Sequence, residues 1–228
     1  MNPLLMPTVA VQGIWVRSMF KLAEPPEGST SGTAGDASGR PVHVVVVGDS
    51  TAAGSGVDTQ EDGFAGCLAR SLAARTDRLV AWQAVGEFGA TARRIRYKLL
   101  PRLNQDLDVA VLLAGGNDVL ARRTPEQWEG DLSAIVEDLG GRAEQVVVVG
   151  IPPFQLFPSL PVTLRRYLGE RAGALNEVSR KVCAEQPRAS WVTLPGTPPA
   201  DFFARDNFHP SASGYRLWAG FVADRLKV

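Results

Sequence analysis

The sequence has few of the side chains that mark metal sites and disulfide scaffolds, and no excess of charge. It contains two cysteines and two histidines in 228 residues, and 24 Lys and Arg are balanced by 24 Asp and Glu. A net charge of zero gives no general attraction for nucleic acid. Cys67 and Cys183 lack metal-ligand spacing. We therefore expect no metal or other cofactor, and buried free thiols in a cytoplasmic protein, with a disulfide as the alternative.

The sequence also lacks an unbroken apolar run long enough to cross a bilayer. Residues 1–23 are apolar but are interrupted by Pro7, Gly13 and Arg17, and they lack the basic start and cleavage site of a signal peptide. This amphipathic arm either packs on its own domain or makes a peripheral membrane or partner contact. Residues 24–40 are rich in Gly, Ser, Thr and Pro, which is typical of a flexible linker.

What the chain does have is an alternation of strands and helices over residues 41–228. Apolar runs predict five strands, at 42–47, 79–85, 108–114, 146–151 and 191–194. Helical spacing and capping residues predict helices at 64–75, 91–100, 124–139, at least the second half of 161–184, and 211–226. This order predicts one α/β domain, a three-layer α/β/α sandwich with about five parallel strands. Its functional crevice should lie at the carboxyl ends of the strands.

Ser50 is the candidate nucleophile, because it follows the first predicted strand almost directly. Residues 48–51 read Gly-Asp-Ser-Thr, so a buried strand ends at a glycine that lets the backbone turn. The hydroxyl would then lie at the rim of the sheet, above the crevice. The alternative is a serine that only caps the next helix.

A serine hydroxyl needs a base that accepts its proton, and imidazole is the usual one near neutral pH. His43 begins the first strand, about 16 Å from its carboxyl end, and is too distant to serve. His209 lies in the loop before the last helix, which can reach the crevice. Asp206 stands three residues earlier, where it either orients the imidazole or only stabilises a turn.

Acyl transfer also needs hydrogen-bond donors for the oxyanion that forms in the transition state. Gly89 can offer a backbone N–H after the second strand, and Asn117 a side-chain amide after the third. The backbone N–H of Ser50 completes a set of three donors. Asn117 could instead be a turn residue, and Asp118 could simply cap the segment that follows it.

These segments resemble the four sequence blocks of the SGNH/GDSL hydrolases. The first block matches residues 48–51, with threonine in place of the more common leucine. The second matches Gly89, with Gly86 as the alternative. The third, Gly-x-Asn-Asp, matches residues 115–118, and the last, Asp-x-x-His, matches 206–209. The order and spacing agree from residue 43 to about 220, which is nearly all of the predicted domain.

The resemblance implies a flavodoxin-like sandwich and metal-free ester hydrolysis through an acyl-serine, acting on a small-molecule substrate. It leaves open the ester, thioester, lysophospholipid and carbohydrate-ester substrates of the family, and transfer of the acyl group to an alcohol. A ligand-binding sandwich without hydrolysis is the rival from another class, although the phosphate-binding glycine motifs are missing. A short-to-medium apolar acyl group would bind between aromatic side chains near the crevice, namely Phe88, Phe154, Phe157 and Phe208.

Overall fold

A six-stranded sheet forms the centre of the computed structural model, which describes residues 25–36 and 40–228. The strands are β1 (Ser31–Ala34), β2 (Val42–Gly48), β3 (Val80–Gly86), β4 (Leu107–Leu113), β5 (Ala143–Val149) and β6 (Ala189–Val192). Their order is β1-β3-β2-β4-β5-β6, with β2 to β6 parallel and β1 antiparallel to β3. Numbered along the chain, the parallel strands follow the order 2-1-3-4-5, which is the flavodoxin-like order.

The described residues form six α-helices around this sheet. They are α1 (Phe64–Thr76), α2 (Ala92–Arg94), α3 (Gly116–Leu120), α4 (Pro125–Gly140), α5 (Val162–Ala184) and α6 (Ala212–Ala223). Side chains of β2 alternate between two cores, because successive residues of a strand point to opposite faces. Val45 and Val47 pack with α4 and α5, whereas Val44 and Val46 pack with α1 and α6. The predicted three-layer α/β/α sandwich with five parallel strands is therefore confirmed.

The predicted helix over residues 91–100 is not a regular α-helix. α2 ends at Arg94 and continues as a π-helical turn, Ile95–Leu99, and a 3-10 turn, Leu100–Arg102. The second turn contains Pro101, whose missing N–H prevents the α-helical hydrogen bonds from continuing. α5 spans the whole range Val162–Ala184, which includes the second half that the sequence predicts as a minimum.

The linker predicted over residues 24–40 differs from the structure at Ser31–Ala34, which form β1 at the edge of the sheet. Gly32 lies opposite Trp82 in the ladder. A Cβ at Gly32 would lie 3.0 Å from the Trp82 ring, so the ring covers this glycine closely. Cross-strand aromatic packing of this kind stabilises an edge strand with weak intrinsic β-propensity. The composition of residues 24–40 therefore does not indicate that β1 forms.

The N-terminal arm predicted over residues 1–23 lies outside the described residues. Within the ranges that the structure describes, no helix is both long and apolar enough to cross a membrane. Cys67 and Cys183 are free and buried, as predicted. Burial raises the pKa of the Cys183 thiol to about 12, so this thiol stays protonated and unreactive near neutral pH.

Candidate active site

A cavity of about 650 Å³ lies at the carboxyl ends of the parallel strands. Residues that follow β2, β3, β4 and β5 line it together with the loop before α6. Nearly all of the site residues predicted from the sequence line this one cavity: Ser50, Gly89, Asn117, His209, Phe88, Phe154, Phe157 and Phe208. Asp206 does not line it and lies behind His209. The crevice is therefore where the order of strands predicts it.

The turn after β2 holds Ser50 at the rim of the sheet. A Cβ at Gly48 would overlap the carbonyl oxygen of Leu113, so only glycine allows β2 and β4 to approach this closely. The N–H of Asp49 donates to the same Leu113 oxygen at 3.0 Å, and the N–H of Ser55 to the carbonyl oxygen of Ser50 at 2.9 Å. Turns follow Ser50, and α1 begins only at residue 64. The helix-capping alternative for Ser50 is therefore wrong.

The structure brings Ser50, His209 and Asp206 into one hydrogen-bonded chain. Ser50 Oγ lies 3.0 Å from His209 Nε2, and His209 Nδ1 lies 2.6 Å from Asp206 Oδ2. A carboxylate only accepts hydrogen bonds, so Nδ1 carries the ring proton and Nε2 presents its lone pair to the serine hydroxyl. The imidazole is buried. This geometry allows a proton to pass from Ser50 to His209.

The loop before α6 positions the Asp206 carboxylate. Its Oδ1 accepts the backbone N–H of Phe208 at 2.9 Å and that of His209 at 3.0 Å. Partial burial acts to raise the pKa of Asp206, but the hydrogen bonds from His209 and Phe208 outweigh it and lower that pKa. The carboxylate is therefore charged at neutral pH and stabilises an imidazolium beside it. His43 lies at the start of β2, with Nδ1 3.7 Å from Asp108 Oδ2, away from this site.

Two of the three expected oxyanion donors lie beside each other. Gly89 lines the cavity, has a φ of +74° and has open space where a Cβ would be. Asn117 donates from Nδ2 to the Ala90 carbonyl oxygen at 3.1 Å. Gly86 is instead paired with Gly48 in the sheet, and a Cβ there would overlap the backbone of Ala53. Of the two glycines, Gly89 is the one that lines the cavity.

Two buried carboxyl groups flank the site. Asp118 accepts the N–H of Ala92 at 2.9 Å, so it caps α2 and not the segment that follows Asp118, which was the alternative from the sequence. Burial raises the pKa of Asp118 to about 6, although the Ala92 N–H and Arg123 act in the opposite direction. Burial also raises the pKa of Asp49 to about 6, against the hydrogen bond from Thr51.

The four predicted phenylalanines line the cavity, and three of them form one aromatic cluster. The Phe157 ring centroid lies 5.0 Å from that of Phe154 and 4.8 Å from that of Phe208. Phe208 in turn contacts the His209 ring at 5.1 Å. Packing in the core and lining the cavity are thus compatible roles, because a ring can do both with opposite faces.

Several residues that line the cavity have no functional signal in the sequence. Leu164, Tyr167 and Leu168 come from α5, Arg122 follows α3, and Trp218 comes from α6. The spacing of Leu164 and Leu168 marks a buried helical face, but periodicity alone does not show which surface that face covers. Arg122 has no signal in the sequence that separates it from its neighbour Arg123.

A serine, an imidazole and a carboxylate in hydrogen-bond contact, here on a flavodoxin-like sandwich, are the arrangement that acyl-transfer hydrolases use. The sequence profile of the GDSL-like Lipase/Acylhydrolase family matches residues 46–217, which include all four sequence blocks. The chain belongs to this family.

Individual relatives agree with this assignment. The GDSL-like esterase Rv1075c of Mycobacterium tuberculosis is 28% identical over 192 residues, which are 79% of this chain and 60% of that protein. The chain thus spans about 60% of the length of this curated relative. The crystal structure of TesA matches with a TM-score of 0.64 and 23% identity, over 81% of this chain and 98% of that one. An extracellular lipase from Streptomyces rimosus matches with a TM-score of 0.61 and 19% identity, over 81% and 100%. These two likenesses concern the fold.

Proposed function

We propose that this protein is a serine esterase that hydrolyses carboxylic esters of short-to-medium acyl groups through an acyl-serine intermediate. The observation that carries the proposal is the continuous chain of contacts from Ser50 Oγ to His209 Nε2 and from His209 Nδ1 to Asp206 Oδ2. Ser50, at one end of this chain of contacts, lines a cavity large enough for a small ester.

In the first half of the reaction, His209 Nε2 takes the hydroxyl proton while Ser50 Oγ bonds to the ester carbonyl carbon. The carbonyl oxygen becomes an oxyanion, which would accept hydrogen bonds from the N–H groups of Ser50 and Gly89 and from Asn117 Nδ2. The tetrahedral intermediate then loses the alcohol, which leaves with the proton held on His209. In the second half, His209 takes a proton from water while the water oxygen bonds to the acyl carbon. The bond from this carbon to Ser50 Oγ then breaks, Ser50 Oγ takes the proton back from His209, and the acid is released.

The acyl group would bind against the aromatic cluster of Phe154, Phe157 and Phe208. All three line the cavity, and Phe154 and Phe157 are almost fully buried. Burial of apolar area there would contribute about 0.8 kcal/mol for each methylene group of the acyl chain. A cavity of about 650 Å³ limits the number of methylene groups that can contribute, so the specificity constant should rise with chain length and then level off.

The test is hydrolysis of 4-nitrophenyl esters from acetate to decanoate, with the matching thioesters and added alcohol acceptors in parallel. We expect turnover without added metal, and loss of that turnover in Ser50→Ala and His209→Ala proteins that keep the circular dichroism spectrum of the parent. A fluorophosphonate should label Ser50 and fail to label the Ser50→Ala protein. Turnover retained by Ser50→Ala, or a label on another residue, would contradict the mechanism.

A further inference from the structure

Arg122 is a basic side chain at the wall of the candidate active site. Among the residues that line the cavity in the described part of the chain, the ionisable ones are Asp49, Tyr167, His209 and Arg122. Arg122 is exposed as well as lining the cavity, so it lies at the opening. It is therefore the one permanently cationic group that a bound ligand would meet there, within the ranges described.

The consecutive residues Arg122 and Arg123 differ in the partners of their side chains. Arg123 forms ion pairs with Asp118 and Asp131 and is largely buried. For Arg122, the described residues provide no hydrogen bond or ion pair to the guanidinium. Because Arg123 already performs the structural pairing, the charge of Arg122 is left for something outside the fold.

The backbone at Arg122 makes an arginine costly there. The N–H of Arg122 donates to the Val119 carbonyl oxygen at 3.1 Å. The N–H of Arg123 donates to the Asp118 carbonyl oxygen at 3.0 Å. These two bonds form a Schellman motif at the end of α3, and its central position, Arg122, has a φ of +56°. Glycine is the usual residue at this position, because side chains are strained in the left-handed region. A glycine would end α3 more favourably, so stability does not explain the arginine.

We propose that Arg122 binds an anionic oxygen group, a carboxylate or a phosphate, of the ester substrate at the cavity opening. This inference rests on the proposed esterase function and narrows its substrate class. The cavity that Ser50 and Arg122 share is lined mostly by apolar side chains, among them Leu120, Leu164 and Leu168. Asp49 lies next to the nucleophile and disfavours a second negative charge there. The preferred substrate therefore carries its anion several atoms from the scissile carbonyl, with an apolar segment between them.

The anion can belong to the acyl group or to the alcohol, and two substrate pairs separate these cases. The acyl pair is 4-nitrophenyl pentanoate and the 4-nitrophenyl monoester of glutarate. The alcohol pair is 4-acetylphenyl butyrate and 4-carboxyphenyl butyrate. The quantity to measure is the ratio of kcat/KM for the anionic ester to kcat/KM for its neutral partner, with each rate corrected for spontaneous hydrolysis.

Four variants report on the role of the side chain. Arg122→Ala and Arg122→Gly should lower this ratio about tenfold in at least one pair, since a charge-assisted hydrogen bond is lost. The neutral esters should keep their kcat/KM. Arg122→Lys should retain part of the preference, because an ammonium binds an anion as a point charge. Arg102→Ala removes another exposed arginine, one that does not line the cavity, and it should leave every ratio unchanged.

Arg122→Gly also separates binding from a structural role. It relieves the left-handed strain, so its thermal midpoint should equal or exceed that of the parent while the anion preference is lost. Unchanged ratios in both pairs for Arg122→Ala would overturn the inference while leaving the esterase intact. Absence of hydrolysis of all four esters by the parent protein would instead reject the proposed function, and this inference with it. The pair whose ratio falls identifies the part of the substrate that carries the anion.

Discussion

Asn117 donates a hydrogen bond from its side-chain amide to the carbonyl oxygen of Ala90 at 3.1 Å. This bond joins the loop after β4 to the loop after β3, directly beside Gly89. An amide group has two N–H bonds, so one of them holds the Gly89 loop while the other can be directed to an oxyanion. Asn117 would therefore act twice, as a donor itself and as the group that positions a second donor.

Replacing Asn117 by alanine should lower kcat by about 10²–10³-fold and change KM little, because the lost interactions act on the transition state. The measurement is steady-state hydrolysis of a 4-nitrophenyl ester. Asn104→Ala is a matched control, since Asn104 is exposed and does not line the cavity. A variant Asn117→Ala with parental kcat would show that this amide does not contact the oxyanion.

Asp206→Asn should reduce kcat by about 10²–10⁴-fold, because an amide no longer fixes the proton on His209 Nδ1 or stabilises the imidazolium. Ser50 would still be present and folded, so slow labelling by a fluorophosphonate should persist. Asp201→Asn, an exposed change in the same loop, serves as the comparison. Equal rates for the two variants would exclude an orienting role for Asp206.

Three glycines with equally open space at the position of a Cβ should respond to alanine in opposite ways. Gly130 in α4, Gly173 in α5 and Gly89 all have no atom within 4 Å of an added Cβ. Gly130→Ala and Gly173→Ala should each stabilise the protein by about 0.5–1 kcal/mol, because glycine is a poor helix former. Gly89→Ala should destabilise it by about 1–2 kcal/mol, since the φ of Gly89 is +74°.

Urea denaturation gives the free energy of unfolding of each variant. Activity assays in parallel should show a loss for Gly89→Ala alone, because a strained alanine would turn the N–H away from the oxyanion. The prediction fails if Gly89→Ala is as stable and active as the two helix variants.

Asp118→Asn should change how stability depends on pH. Burial raises the pKa of Asp118 from 3.8 to about 6, so between these values the folded state binds more protons than the unfolded state. The contribution of Asp118 to stability therefore falls as the pH rises through this window. Asparagine keeps an oxygen for the Ala92 N–H and has no charge to bury.

The free energy of unfolding of Asp118→Asn, minus that of the parent, should thus be larger at pH 7 than at pH 4, by on the order of 1–3 kcal/mol. Urea denaturation of both proteins at each pH gives this difference. A difference that does not vary with pH would show that Asp118 is not buried as a carboxylate with a raised pKa.

The layered fold was predictable because its signals are local. Runs such as residues 42–47 are apolar at every position but one, which is typical of strands covered on both faces. β1 was not predictable, since Gly32 is held by a ring from β3 and not by any propensity of its own segment. The π-helical turn Ile95–Leu99 was not predictable either, since residues 91–100 have the apolar spacing of a regular helix.

The candidate site was predictable to the extent that chemistry restricts the residue types. Two histidines and one Asp-x-x-His spacing leave few choices for a base and its carboxylate partner. The residues that line the cavity were not predictable, because Leu164, Tyr167 and Arg122 reach it from elements far from Ser50 in the chain. Their proximity depends on how α3 and α5 pack on the sheet.

Local features of the sequence specify the order of strands and helices, the residue types available for catalysis, and the edge of the sheet at which they gather. These follow from local apolar periodicity and from the rule that parallel strands end at one edge. Packing of the chain sets the distances from Ser50 to His209 and from His209 to Asp206. It also places Gly89, and not Gly86, in the cavity wall, and it gives Arg122 and the paired Arg123 their different surroundings. Each of these depends on contacts between segments distant in the chain, and the packing of the folded core is what brings those segments together.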